Sequence, residues 1–101
     1  MSQVKFNTTY KGLPAQVVSG WDRPLGYYHL TIYNVRLDAD EDVLWDGLSK
    51  LGFCRDIKLL REVIEGLGIK PPPDFYERVA LNEGNVLHSY SESKGWTVRR
   101  L

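Results

Sequence analysis

Few side chains in this sequence are of the kind that do covalent or metal chemistry. His29, Cys54 and His88 are its only imidazoles and its only thiol. Zinc takes about four nitrogen or sulfur ligands, or three and a water. These three stand far apart in sequence, with no ligand spacing between them. A Cys54 thiolate activated by His29 or His88 is one arrangement to weigh. Its place ahead of a helical stretch would favour the thiolate. The adjoining Phe53 favours an inert, partly buried thiol, and that is the reading taken here.

Carboxylates cluster at Asp38-Ala39-Asp40-Glu41-Asp42. The run imitates the first ligands of a calcium loop. Such a loop needs glycine at its sixth position and a bidentate glutamate at its twelfth. Those positions hold Val43 and Ser49, so a solvated loop is expected instead. No serine sits in a Gly-x-Ser-x-Gly elbow. Gly66-Leu67-Gly68 lacks a third glycine and follows a helical stretch rather than a strand, so it is no dinucleotide loop. No lysine lies in a phosphate-binding loop. Neither a metal nor a cofactor is expected.

Two constellations of binding-type residues remain. The first is Trp21-Asp22-Arg23, inside the turn from Gly20 to Gly26. Pro24 fixes its own φ and extends Arg23, which makes the turn rigid. An outward Trp beside Arg is the sort of anchor that carries binding energy; a Trp21 packed on a sheet, with Asp22 and Arg23 bracing the turn, is the plainer alternative. The second is the alternation of Tyr27-Tyr28-His29-Leu30-Thr31-Ile32-Tyr33. It divides an apolar side, Tyr28, Leu30 and Ile32, from an aromatic side with polar tips, Tyr27, His29, Thr31 and Tyr33. A third grouping, Asp22, Arg23, Asn85 and His88, would form a polar site only if the chain brought the Gly84-Asn85 segment to the turn.

The elements that must position these residues follow from periodicity. Val4 to Tyr10 alternates and reads as a strand, Lys11 to Pro14 as a turn, and Ala15 to Ser19 as the hairpin partner. The Tyr27–Val35 run is a third strand. Val43 to Leu51 has helical spacing at Leu44, Leu48 and Leu51, but Val43-Leu44-Trp45 are strand formers and Gly47 weakens a helix. A fourth strand ending near Asp46 is preferred. Phe53, Ile57, Leu60, Ile64 and Leu67 make one helical stripe. Asp56 is its expected N-cap, and Gly66 and Gly68 stop it. After the stiff Ile69 to Pro73 stretch a shorter helix begins near Pro73-Asp74, burying Phe75, Val79 and Ala80 and ending at Asn82-Glu83-Gly84. From Asn85 two readings stay open: Val86–Tyr90 pairs with Trp96–Arg100, or residues 89–101 form a loose tail.

Bulk composition sets the class. The chain has 101 residues, enough for one domain without a disulfide or metal staple. Thirteen basic and thirteen acidic residues cancel, which removes the general drive towards nucleic acid or anionic membranes. An aromatic sheet face resembles the stacking platforms of RNA-binding domains, but their basic surroundings are missing. Arg99-Arg100 is the only basic cluster, and it reads as solvated. The single cysteine and the absence of an apolar leader in Met1 to Lys5 make the cytoplasm the expected compartment.

From Gly20-Trp21-Asp22-Arg23-Pro24-Leu25 onward the chain resembles a family of small uncharacterised bacterial proteins. The likeness continues through Asp38 to Asp42, Leu67-Gly68-Ile69 with its prolines, and Gly84-Asn85 with His88. Tyr27-Tyr28-His29 departs from the more apolar residues expected there. The resemblance implies the order of elements and a strand at Val43, and it implies no activity. The expected fold is α+β: an antiparallel meander of about four strands with two C-terminal helices on one face. The expected function is a non-enzymatic binding module, holding a protein partner or forming a homodimer through Trp21, Asp22, Arg23, Tyr27, His29 and Tyr33. The alternative is a small-ligand protein or enzyme using Asp22, Arg23, Asn85 and His88.

Overall fold

The computed structural model describes residues 3–22, 26–35, 43–46, 56–81 and 86–100. Several expectations lie outside them: the Arg23-Pro24-Leu25 segment, the Asp38 to Asp42 loop, Gly47 to Leu51, Phe53, Cys54 and the stretch Asn82 to Asn85. In chain order the elements are β1 (Gln3–Tyr10), β2 (Leu13–Asp22), β3 (Tyr27–Asn34), β4 (Val43–Asp46), α1 (Ile57–Gly66), α2 (Phe75–Leu81), β5 (Val86–Ser91) and β6 (Gly95–Arg100).

The α+β class holds, and the finer expectation needs correction. The described sheet has six strands in the order β4-β3-β2-β1-β5-β6, and it is mixed. β1 pairs with β5 in parallel, Gln3 beside Leu87 through Phe6 beside Tyr90, while the other ladders are antiparallel. The helices are therefore not C-terminal: they carry the chain across the sheet from β4 to β5. The residues after Asn85 form the β5–β6 hairpin, which resolves the open alternative in favour of pairing.

Local chemistry explains each element. Lys11 and Gly12 adopt φ of 51° and 81°, so both central residues of the two-residue β1–β2 loop are left-handed. That conformation matches the twist of the flanking strands, and Gly12 adopts it without a steric penalty. The turn also explains how Pro14 sits inside β2. Tyr10–Leu13 is the hydrogen-bonded pair next to the loop, so Thr9–Pro14 is a non-bonded pair. The nitrogen of Pro14 thus faces away from β1, towards the end of β3, where Val35 N–H donates to the Pro14 carbonyl at 3.1 Å.

The α1 helix begins as its sequence requires. Asp56 has extended backbone, and its carboxylate accepts from Lys58 N–H at 2.9 Å. The helix ends in a Schellman motif. Gly68, at φ 77°, donates to the Glu65 carbonyl at 3.0 Å, and Ile69 N–H reaches the Ile64 carbonyl at 3.3 Å. Ile64 and Ile69, which flank that closure, are both buried.

Both helices lie on the side of the sheet bearing Val4, Phe6, Val17, Leu30 and Ile32, as the alternation of β3 implies. Leu60 and Ile64 of α1 and Phe75 and Val79 of α2 complete that core. Phe75 meets Phe6 edge to face at 5.0 Å. Full burial of such a ring contributes about 1.5–3 kcal/mol. Ala80 is exposed, against expectation. The flank of α2 that continues inward is formed by Tyr76 and Arg78 instead, whose long side chains cover more surface than a methyl group.

Candidate binding surface

The two sides of the sheet divide the binding-type residues. Trp21 pairs with Tyr28 across β2 and β3, in the row set that contains Ser19–Leu30 and Val17–Ile32. Trp21 therefore belongs to the helix-bearing side, where its ring meets that of Tyr28 edge to face at 4.8 Å. Trp21 thus stands on the side opposite to Tyr27, His29, Thr31 and Tyr33, with its ring against a cross-strand neighbour. This placement has a local cause: the period of two that puts Val17 and Ser19 under the helices carries Trp21 to the same side.

Tyr27, His29, Thr31 and Tyr33 lie on the opposite side, and all four are half-buried. The register places them in rows. Tyr33 pairs with Gln16, and Asn7 follows on β1; Thr31 pairs with Val18, with Lys5 and Ser89 following on β1 and β5; His29 pairs with Gly20, and Gln3 beside Leu87 lies on the same side of β1 and β5. Val43 of β4 stands beside Tyr33 and is 44% exposed. No described helix lies over this side. The surface is thus a strip of aromatic rings with polar tips, flanked by a mixture of polar side chains (Gln16, Asn7, Lys5, Ser89) and buried apolar ones (Val18, Leu87), and interrupted by the side-chain-free Gly20.

His88 is on the helix-bearing side, in the row of Val4, and is only 3% exposed. Arg78 of α2 donates through Nη1 to its Nδ1 at 2.9 Å. Arginine keeps its protons, so Nδ1 is the acceptor and the ring proton sits on Nε2. The Arg78 guanidinium also stands 4.5 Å from the centroid of Trp96, whose indole N–H donates to the Pro73 carbonyl at 2.8 Å. Arg78, His88 and Trp96 form a clamp that holds the β5–β6 hairpin to α2.

The polar grouping of Asp22, Arg23, Asn85 and His88 is not assembled among the described residues. Asp22 ends β2 in register with Tyr27, Arg23 and Asn85 are outside the described residues, and His88 turns to Arg78. Sequence reasoning missed Arg78 and Trp96 altogether. The one signal was the position of Arg78 between Phe75 and Val79, next to a buried face.

Ser19 is another buried polar group, fully enclosed beside Leu30. Its hydroxyl donates to the His29 carbonyl at 2.7 Å, which satisfies it within the core. Tyr76, beside Arg61 and Glu65, has its phenol pKa raised: burial is the main cause, Glu65 adds to it, and Arg61 opposes it. Among the described residues no three histidine, cysteine or acidic side chains cluster to hold a metal ion, and no helix is long and apolar enough to cross a membrane.

Comparison with known proteins finds no matching family model, no matching curated protein and no matching solved structure.

Proposed function

We propose that this chain is a non-enzymatic protein-binding module that docks a protein through the side of its sheet that no described helix covers, the simplest partner being a second copy of itself. The observation that carries the reading is the Tyr27, His29, Thr31 and Tyr33 strip, with exposed Val43 at its margin, on a side that no described helix covers. Tyrosines suit such a role: each ring contributes a large contact area with few rotatable bonds, and its hydroxyl tolerates water before docking. The chain's zero formal net charge suits association of like with like, since two copies do not repel. A small-ligand or enzymatic site around Asp22, Arg23, Asn85 and His88 has less support, because His88 is engaged by Arg78.

Sedimentation velocity over a range of concentrations tests the reading. Self-association should fall with Tyr27→Ala or Tyr33→Ala and persist with Trp21→Ala, which alters the other side. A wild-type chain that stays monomeric at all concentrations removes the second copy as partner. If it also fails to capture any protein in a Tyr33-dependent way, the docking surface goes with it.

A further inference from the structure

The β1 strand outruns its parallel neighbour. It pairs with β2 from Val4 to Tyr10, but its ladder with β5 stops at Phe6 beside Tyr90. Beyond Ser91 the chain turns away at Glu92 to Lys94 into β6. The last ladder pair, Phe6 beside Tyr90, still engages the Asn7 amide, so Thr8 to Tyr10 and the Asn7 carbonyl have a strand on one side only, among the described residues. The notch beside them is a groove of about 610 Å³, walled by Thr8, Thr9, Pro72, Tyr90 and, at its lip, Lys70 and Glu92.

The hairpin register fixes which backbone groups face this groove. Tyr10–Leu13 and Thr8–Ala15 are the bonded pairs with β2, so the N–H and C=O of Thr9 point away from β2 and into the notch. Thr9 is exposed. A free strand edge inside a walled groove is a template for strand addition, with backbone hydrogen bonds giving affinity and alternate side chains giving selectivity.

We infer that the notch binds an extended peptide segment of a partner protein, about four residues long at the usual strand rise, laid along β1 in the lane that β5 vacates. The flanking rows define the peptide's chemistry. Side chains on the helix-bearing side meet Tyr90, Pro72 and Thr8, which suits an apolar residue. Alternate side chains meet Asn7, Thr9 and solvent, which suits a polar one. Lys70 and Glu92 place one charge of each sign at the lip, so the segment is neutral or carries one charge of each sign. The notch shares only Asn7 with the rows of the Tyr27–Tyr33 strip, two strands from Tyr33, so either site can fail alone.

The test uses a displayed library of random octapeptides, with the best binder resynthesised. On the intact chain, that peptide should shift the amide signals of Asn7 to Tyr10 and slow exchange of the Thr9 amide. N-methylation at alternate peptide positions should weaken binding about tenfold, the signature of lost backbone hydrogen bonds. Thr9→Pro should do the same, because it removes the N–H facing the notch and none that faces β2. Tyr33→Ala should leave peptide binding unchanged. A library that yields no binder overturns the inference. So does a binder that shifts Tyr27 to Tyr33 and spares Asn7 to Tyr10, or one indifferent to N-methylation at every position.

Discussion

Arg78 donates to His88 across 2.9 Å, so the helix α2 and the strand β5 are joined by a charged donor on a buried neutral ring. The same guanidinium covers Trp96 of β6. One side chain therefore ties the last hairpin to the helical layer. Arg78→Met keeps much of the apolar stem but removes both contacts. It should destabilise the fold by about 1–3 kcal/mol, since a buried acceptor loses its donor. Urea unfolding of Arg78→Met, His88→Leu and the double variant should show a coupling of about 0.5 kcal/mol or more. Nitrogen NMR of His88 should report the Nε2–H tautomer.

The ends of α1 offer a cleaner local test. Asp56→Ala removes the acceptor for Lys58 N–H and should cost about 1 kcal/mol. Gly68→Ala places a Cβ at φ 77° and should cost about 1–2 kcal/mol, although open space surrounds the new atom. Its penalty is thus conformational rather than steric crowding. Both variants should lower the thermal midpoint while keeping the wild-type fold at low temperature.

Phe75 is the central side chain of the helical layer, fully buried against Phe6 and Tyr76. Phe75→Ala should cost about 3–5 kcal/mol through lost transfer energy and the cavity left behind. Ala80→Ser on the same helix is exposed and should change stability by less than about 0.5 kcal/mol. Circular dichroism melts of the pair separate the buried side of α2 from its outer side.

Tyr76 titrates late because burial and Glu65 disfavour its phenolate. A folded-state pKa above that of the unfolded chain means the folded state holds its proton longer. The corresponding stability is present below the unfolded value of 10.0 and is lost as pH rises through the folded one. Ultraviolet titration should show a tyrosine component above pH 10.0 that Tyr76→Phe abolishes. The variant should also lose less stability than wild type in that alkaline window.

Local patterns were legible where neighbours in sequence decide the outcome. The stripe from Ile57 to Leu67, its Asp56 cap and the alternation of β3 all follow from residue types at short range, whereas at Val43–Asp46 strand-forming types compete with a helical spacing of leucines. Pairings between distant segments were not. Nothing in the periodicity of Val4 to Tyr10 says that its second neighbour is Val86 to Tyr90, running parallel, so the sheet was expected too small and of one kind. The outward character of Ala80 had the same origin: Arg78 turns inward to meet His88 and Trp96, residues a local pattern cannot see. For the candidate surface, a period of two was enough to separate Tyr27, His29 and Tyr33 from Tyr28, Leu30 and Ile32. The side of the sheet to which Trp21 belongs was equally implicit in the period of two along β2.

The parallel ladder between β1 and β5 also bears on how the chain reaches its fold. β1 finds its second neighbour only after both helices have been synthesised. Until then β1 has one satisfied edge and one bare edge, along the whole of Gln3 to Phe6 as well as the notch beyond it. Contacts of such long sequence separation raise the loop-closure entropy before the transition state and slow folding. On a ribosome, β1–β2–β3 would emerge as a meander waiting for its last two strands, and that interval is when the nascent chain is most open to pairing with a strand other than its own.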